Sequence, residues 1–357
     1  MRMIRVAMIS FWHVHARDYA EEASAHPATE IVAVWDEVPE RGEAAAEKLG
    51  ARFYTRLDDL LAQPDIDGII VDTPTNMHRD VLAAAAQAGK HIFTEKVLAL
   101  TVRECRQILD AVEQSGVTLV ISLPRLNAGY TQAIQDVLAR HWLGELTLVR
   151  TRLSHDGALG QGSSSPFWQK GRGQTSARAE QEGWLPAHFY NPEQCGGGAL
   201  IDLGCHPMYL ARLFLGLPAS VSASYGYLTG RAVEDNAVAT LRYPQGALGV
   251  VEAGFVNRFS PFSIEVHGTE GSLLYNTPEN TLRLRSAVAG APGHREWTEL
   301  AQPPDRSSAF QQWVTHIQEG TIATENIQTA LDLTMLMETA NLSARTNQPV
   351  LLDMLAR

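Results

Sequence analysis

The 357-residue sequence is poor in several things, and each shortage narrows the reading. Three cysteines, Cys105, Cys195 and Cys205, cannot all pair within one chain and share no metal-type spacing. A reducing, cytoplasmic compartment suits such usage. No Lys/Arg-rich run occurs, and 29 basic against 40 acidic residues leave a formal charge of −11. Nucleic acids and anionic membrane surfaces are therefore not expected as partners. No apolar run approaches the roughly 18 residues of a membrane span. The N-terminus runs straight into a strand-like segment, without the charged and apolar regions of a secretory leader. There is no internal repeat and no low-complexity tail. The most informative shortage is local. The stretch IRVAMISFWHVHARDYA, beginning at Ile4, has the rhythm of strand, tight turn and helix. Such a turn normally reads G-x-G-x-x-G, because the chain must bend sharply and let a pyrophosphate touch the backbone. Here Ser10, Trp12 and His15 hold the three glycine places.

What is present points to two domains and a sizeable core, with 45% apolar and 19% charged residues. Apolar runs at 4–9, 31–35, 68–72, 91–94 and 117–122 alternate with helical stretches, several ending in glycine (Gly50, Gly89, Gly116). Strand–helix alternation with short connections makes βαβ units and a parallel sheet. After Pro124 the pattern changes. A helix at 131–140 and a strand at 146–154 precede a Gly- and Ser-rich stretch, 157–198, read as a lid or a disordered loop. A helix at 199–215 follows, then strands at 219–229, 235–243, 246–256, 262–268 and 271–275, with helices at 307–318 and 324–345. Consecutive strands joined by short turns make an antiparallel sheet.

Four places could carry chemistry. Asp36 closes the second apolar strand, where an acid can accept hydrogen bonds from adenosine ribose hydroxyls and repel a 2′-phosphate; a helix cap or turn residue is the plain alternative. DTPTNMH, residues 72–78, follows the third apolar strand at the edge where ligands bind in doubly wound sheets, and offers Thr73, Pro74 and His78. Glu95 and Lys96 stand where the fourth apolar strand stops. A lysine there can hold a substrate hydroxyl, although an exposed Glu–Lys pair is of little consequence. CGGGALIDLGCHPMYLARLFLG, from Cys195, places Asp202 and His206 at i, i+4 on one helix face. A carboxylate beside an imidazole can fix its tautomer and raise its basicity, as a general base for an alcohol proton requires; a structural pair is the alternative. His13 and His15 flank Val14, but no third ligand stands nearby in sequence, so no metal is expected.

Together these pieces resemble one family over nearly the whole chain. It is the glucose–fructose oxidoreductase / inositol dehydrogenase / rhizopine-catabolism family, usually written Gfo/Idh/MocA. The segments that carry the resemblance are VDTPTNMH, AGKHIFTEK, GGGALIDLGCH and ETANLSARTNQPVLL, in that order. The resemblance implies an α/β fold. Residues 1–123 would form a dinucleotide-binding Rossmann domain with a doubly wound parallel sheet. Residues 124–357 would form an α+β substrate-binding and oligomerisation domain with a large, open, mostly antiparallel sheet.

The resemblance also implies roles. The lysine of the family's E-K-P motif maps onto Lys96, and its D-x-x-x-H pair onto Asp202 and His206. In family dehydrogenases the histidine takes the hydroxyl proton, the lysine binds the reacting oxygen and the aspartate orients the site. Val97 replaces the motif's proline, usually a cis-peptide feature, and Tyr209 replaces a second acid found in many members. The opening turn matches members reading roughly IGLGHIHA. The expectation is an NAD(H)-dependent oxidoreductase acting on a sugar or polyol, with NADP disfavoured by Asp36. Cofactor contacts would come from Ser10, Trp12, His13, Asp36, Thr73, Pro74, His78, Glu95 and Lys96. Substrate contacts would come from Arg125, Asn127, His155, Tyr190, Asp202, His206 and Tyr209. A homodimer or homotetramer is expected. Two alternatives stand beside it: NAD-assisted elimination or glycoside cleavage on the same fold, and a non-catalytic sugar or nucleotide sensor, favoured by the missing glycines.

Overall fold

The computed structural model describes residues 2–159, 183–292 and 294–355. The chain divides into two compact units, residues 1–124 with 307–334, and residues 125–306 with 335–357.

The first unit is a six-stranded parallel sheet. Its strands are β1 (Ile4–Ile9), β2 (Thr29–Trp35), β3 (Arg52–Tyr54), β4 (Gly68–Val71), β5 (His91–Thr94) and β6 (Leu119–Ile121). Their order is β3-β2-β1-β4-β5-β6, so the direction of winding reverses between β1 and β4. Ligands bind beyond the strand ends at such a switch point. β1 and β4 are buried along nearly their whole length, which is why both read as unbroken apolar runs rather than alternating ones. The connecting helices are α1 (Ala16–Ala25), α2 (Pro39–Leu49), α3 (Leu57–Leu61), α4 (His78–Gln87) and α5 (Val102–Ser115). α5 opens on a reciprocal capping box between Thr101 and Glu104 and ends on left-handed Gly116. The short strand β3 escaped the sequence reading because three residues are too few for a periodic signal.

The unit also takes in a late helix, α9 (Ala309–Glu319), which the sequence had grouped with the second domain. Phe310 and Trp313 lie in one cluster with Met8, Ile70 and Phe93. A Cβ on Gly68 would stand 2.9 Å from the Trp313 ring, so glycine in β4 is what admits the indole.

The second unit is built on nine strands in the order β14-β13-β12-β11-β7-β10-β9-β8-β15. They are β7 (Leu146–Ser154), β8 (Ser220–Gly226), β9 (Asn236–Arg242), β10 (Leu248–Gly254), β11 (Ser263–Gly268), β12 (Gly271–Asn276), β13 (Thr281–Ser286), β14 (Thr298–Glu299) and β15 (Val350–Leu351). All pairings are antiparallel except β7 with β10. The sequence reading missed β13 and two short edge strands, β14 and β15. The unit's helices include α6 (Gly129–Ala139), a single turn α7 (Pro192–Cys195) and α8 (Cys205–Leu215), the last lying on β7 and β10. α10 (Thr324–Thr346) starts in the first unit and ends in the second. Residues 160–182, the interior of the 157–198 stretch, lie outside the described residues. Among the described residues no helix is long and apolar enough to cross a membrane.

Candidate active site

The first unit gathers its polar residues at the C-terminal ends of β1, β4 and β5. Ser10 adopts φ +74°, the left-handed conformation that a glycine would take in this turn. Its Oγ accepts from the Trp12 amide at 3.0 Å. Trp12 keeps an ordinary φ and is buried, so the second glycine place makes no special backbone demand. The first turn of α1 carries no side-chain cap, which leaves amide groups for an anion.

His13 and His15 converge on Glu95. His15 Nδ1 lies 2.7 Å from Glu95 Oε1, which also accepts from the Tyr19 hydroxyl; Oε2 accepts from the Lys96 amide at 2.8 Å. Burial alone would raise the Glu95 pKa, but the charges of His13, His15 and Lys96 hold it well below the usual carboxylate range. His13, His15 and Glu95 each offer a ligand atom within 4.8 Å of the others, a spacing that could hold a metal ion. The expectation of no metal saw no third ligand because Glu95 arrives from a distant strand. Here the carboxylate is engaged in hydrogen bonds with its neighbours.

The Lys96–Val97 peptide is cis although no proline follows the lysine. His78 anchors this segment from beneath. Its ring is buried, and its Nδ1 lies 3.0 Å from the Val97 carbonyl and 3.2 Å from that of Leu98. Burial lowers its pKa, so the ring is a neutral brace holding the strand exit rather than a surface for cofactor. Thr73 follows at the end of β4, its Oγ1 buried without a partner among the described residues. Pro74 starts the turn Thr75–Met77 that leads into α4.

Asp36 is more engaged than its place in sequence suggests. Its fully buried carboxylate accepts from the Phe11 and Val38 amides, both at 2.8 Å. Arg41 adds a bidentate contact, Nε at 2.8 Å and Nη2 at 2.7 Å, and reaches Ser10 Oγ at 3.3 Å. The acid is thus charge-compensated, and the surface at this edge is partly arginine.

The second unit holds the D-x-x-x-H pair. Gly196 takes φ +76°, and a Cβ on Gly198 would stand 2.0 Å from the Glu234 carbonyl. The glycines therefore let the chain lie against Glu234, whose carboxylate accepts from the Gly198 and Leu200 amides at 2.8 and 2.9 Å. Residues Leu200–Gly204 form a π-helical turn that passes into α8 at Cys205, so the Asp202–His206 spacing crosses a change of helix type. Thr151 Oγ1 donates to the Pro207 carbonyl at 3.0 Å and ties α8 to β7.

Tyr209 is not placed as a substrate contact. It is fully buried, its hydroxyl accepts from the Arg125 amide at 3.1 Å, and it lies 3.0 Å from His206 Nδ1. The phenol orients the imidazole instead of meeting substrate. Arg125 stacks on Phe262 with 3.9 Å between guanidinium carbon and ring centroid, and donates to the Tyr130 hydroxyl. The Asn127 carbonyl accepts from the Arg306 amide at 2.8 Å and so holds a loop.

His155 lies at the end of β7 between Trp184 and Phe255, with ring centroids 4.5 and 5.2 Å away. Its Nδ1 accepts from the Gly157 amide at 3.0 Å. A backbone N–H only donates, so the neutral ring carries its proton on Nε2. Burial pushes its pKa down to about 4 against the opposing charges of Asp202 and Asp156. Tyr190 completes the group, its hydroxyl donating to the Gly157 carbonyl at 3.3 Å while Arg231 covers its ring at 4.2 Å. Asp72, Glu234 and Arg231 went unnoticed in the sequence, where each is an isolated polar residue. Only the acid in DTP, one step beyond an apolar run, left a usable sign.

The Rossmann order, the left-handed Ser10 turn and the uncapped helix define a dinucleotide-binding fold. Residues 4–123 match the family described as "Oxidoreductase family, NAD-binding Rossmann fold", and residues 131–274 match the "GFO/IDH/MocA C-terminal domain". The chain belongs to the Gfo/Idh/MocA family of oxidoreductases, and its first unit is an NAD-binding domain. It is 28% identical over 286 residues to 1,5-anhydro-D-fructose reductase of Ensifer adhaerens, covering 76% of this chain and 77% of the relative. It is 30% identical over 262 residues to scyllo-inositol 2-dehydrogenase (NAD(+)) of Bacillus subtilis (strain 168), covering 70% and 67%. A levoglucosan dehydrogenase solved with NADH and L-sorbose shares the fold at a TM-score of 0.79 and 19% identity, covering 99% of this chain and 100% of that one.

Proposed function

We propose that the protein transfers hydride between NAD(H) and a hydroxyl-bearing carbon of a sugar or polyol. The observation that carries this reading is the Glu95–Lys96 step at the exit of β5, where the buried Glu95 carboxylate gathers His15, the Tyr19 hydroxyl and the Lys96 amide at the ligand edge of the sheet. When bound, nicotinamide supplies the hydride acceptor or donor. Ser10, Trp12, His13, Thr73 and the start of α1 would hold the dinucleotide, with Asp36 and Arg41 at its ribose edge. Lys96 would hold the reacting oxygen. His206, its ring fixed through Nδ1 by Tyr209, would move the hydroxyl proton at Nε2. Asp202 would orient that exchange, and His155 and Tyr190 would line the substrate side. The exposed Val238 and Leu248 on the nine-stranded sheet support a homodimer or homotetramer.

The test is a titration of NAD⁺ followed by a screen of inositols, anhydrosugars, aldoses and 1,5-anhydrofructose for change in NADH absorbance. His206→Ala should cut turnover by roughly 10²–10⁴-fold with NAD affinity little changed. Full turnover in His206→Ala or Lys96→Ala removes that residue from the mechanism.

A further inference from the structure

The nine-stranded sheet has two faces, and the Asp202–His206 segment uses only one. α8 lies on β7 and β10, and Thr151 is the β7 residue that bonds to it. Side chains alternate along a strand, so Arg152 and Ser154 point away from α8. A cavity of about 500 Å³ opens on that opposite face, within the roughly 300–1,000 Å³ of small-molecule sites. Arg152 lies in its wall, half-buried, with its Nε covered and without a partner among the described residues. The acid beside it is already taken: Glu252 pairs with Arg152 in the β7–β10 register, but its Oε1 accepts from Arg150 Nε at 2.8 Å and Nη2 at 2.7 Å. Arg258 adds a second cation to the lining, 3.8 Å from Asp156. The floor is polar. A Cβ on Gly254 would stand 2.4 Å from Asn257 Nδ2 and 3.4 Å from both Asn236 Oδ1 and Ser154 Oγ. Glycine at the end of β10 is therefore what lets these three groups gather.

We propose that this cavity is a second ligand site, separate from the Asp202–His206 face, and that it takes a small hydroxylated oxyanion: a phosphate or carboxylate carried on a sugar-like body. The charge balance sets the anion. A guanidinium is always ionised, and its fixed fork of donors matches two oxygens of a carboxylate or phosphate. Arg152 is such a fork beside an acid that another arginine has neutralised, in a chain whose formal charge is −11. The neutral groups set the body. Asn236, Asn257 and Ser154 supply both donors and acceptors, which suits hydroxyl groups. Phe259 stands at the rim almost wholly exposed, and the negative face of its ring suits the C–H side of a sugar ring. The cavity has room for such a body, far more than a bare phosphate fills. The loop that carries Asn257 is also fixed to β7, because the Asn257 amide donates to the His155 carbonyl at 3.1 Å. The donors on loop and sheet are thus held in place before a ligand arrives.

The experiment titrates the full-length protein by calorimetry with inorganic phosphate, glucose 6-phosphate, gluconate and glucose, in excess NAD⁺ so that phosphate does not enter the dinucleotide site. Glucose 6-phosphate or gluconate should bind at least about tenfold more tightly than glucose, and the tighter of the two tells phosphate from carboxylate. Inorganic phosphate should bind more weakly than the better of them, since it lacks the body. Arg152→Met keeps the length of the stem and loses the fork, and should weaken that binding about tenfold or more. Asn257→Ala, which changes the loop and not the sheet, should weaken it about threefold. NAD⁺ affinity should be unchanged in both variants, and thermal melts establish that both fold. No binding of either anion by wild type at millimolar concentration, glucose bound as tightly as the anions, or anion affinity undiminished in both variants overturns the proposal. Light scattering on the same samples covers the rival occupant: an Arg152→Met protein that loses its oligomeric state, where wild type binds no anion, gives the guanidinium to a second copy of the chain and overturns the ligand site.

Discussion

Replacing Arg41 by alanine tests how the ribose edge chooses its cofactor. In the wild-type protein the Asp36 carboxylate is fully buried and takes two backbone donors and two arginine donors. The Arg41 side chain is 28% exposed, so the pair is shielded from water only in part. Deleting the guanidinium leaves Asp36 its two amides and an uncompensated charge. Losing a charge-assisted bidentate contact of this kind costs about 1.5–3 kcal/mol of stability. In a chain of this length that is a fall of several degrees in melting temperature. The effect on binding is separate. The 2′-phosphate of NADP would face a bare carboxylate. For unit charges about 5 Å apart the Coulomb energy runs from about 1 kcal/mol in water to about 3 kcal/mol at an effective dielectric constant near 20. NADP⁺ affinity should therefore fall by roughly tenfold or more, while NAD⁺, with only a hydroxyl there, changes by less than about threefold. Calorimetric titration of both dinucleotides against both proteins reads this directly, and added salt should shrink the NADP⁺ difference. Equal losses for the two cofactors, or no loss for either, would refute the idea that Arg41 masks Asp36.

Two further outcomes concern the turn and the aromatic group. Ser10→Ala removes the Oγ bond to Trp12 but keeps a β-carbon at φ +74°, whereas Ser10→Gly loses the same bond and relieves the left-handed backbone. The glycine variant should therefore be the more stable of the two by about 1–2 kcal/mol in denaturant melts; the reverse order would show that the turn tolerates its conformation without strain. His155 has a folded pKa near 4, below its unfolded value. The unfolded chain binds the extra proton first, so stability present above about pH 6.5 is lost as pH falls toward 4, by about 3 kcal/mol in all. His155→Asn should flatten that part of the stability–pH profile, and an unchanged slope would contradict a buried neutral ring.

Much of this protein was legible along the chain because its signals are local. Unbroken apolar runs such as β1 and β4, helix-stop glycines such as Gly50 and Gly116, and the change from alternating to consecutive strands after Pro124 follow from backbone preference and side-chain period. They marked the two halves and most of their elements. The glycine-free turn was legible as a departure, but its outcome was not. Whether Ser10 would take the left-handed conformation depends on the Oγ contact and the packing around it. The tertiary structure decided everything that needs two distant segments. It put α9 in the first unit, because Phe310 and Trp313 complete a core that Gly68 leaves open. It covered Asp36 with Arg41, sank His78 beneath the Lys96 exit and set Tyr209 against His206. It also braced the glycine run on Glu234. A side chain's role is set by its desolvation and its partners, and both arise from contacts that no local stretch of sequence contains.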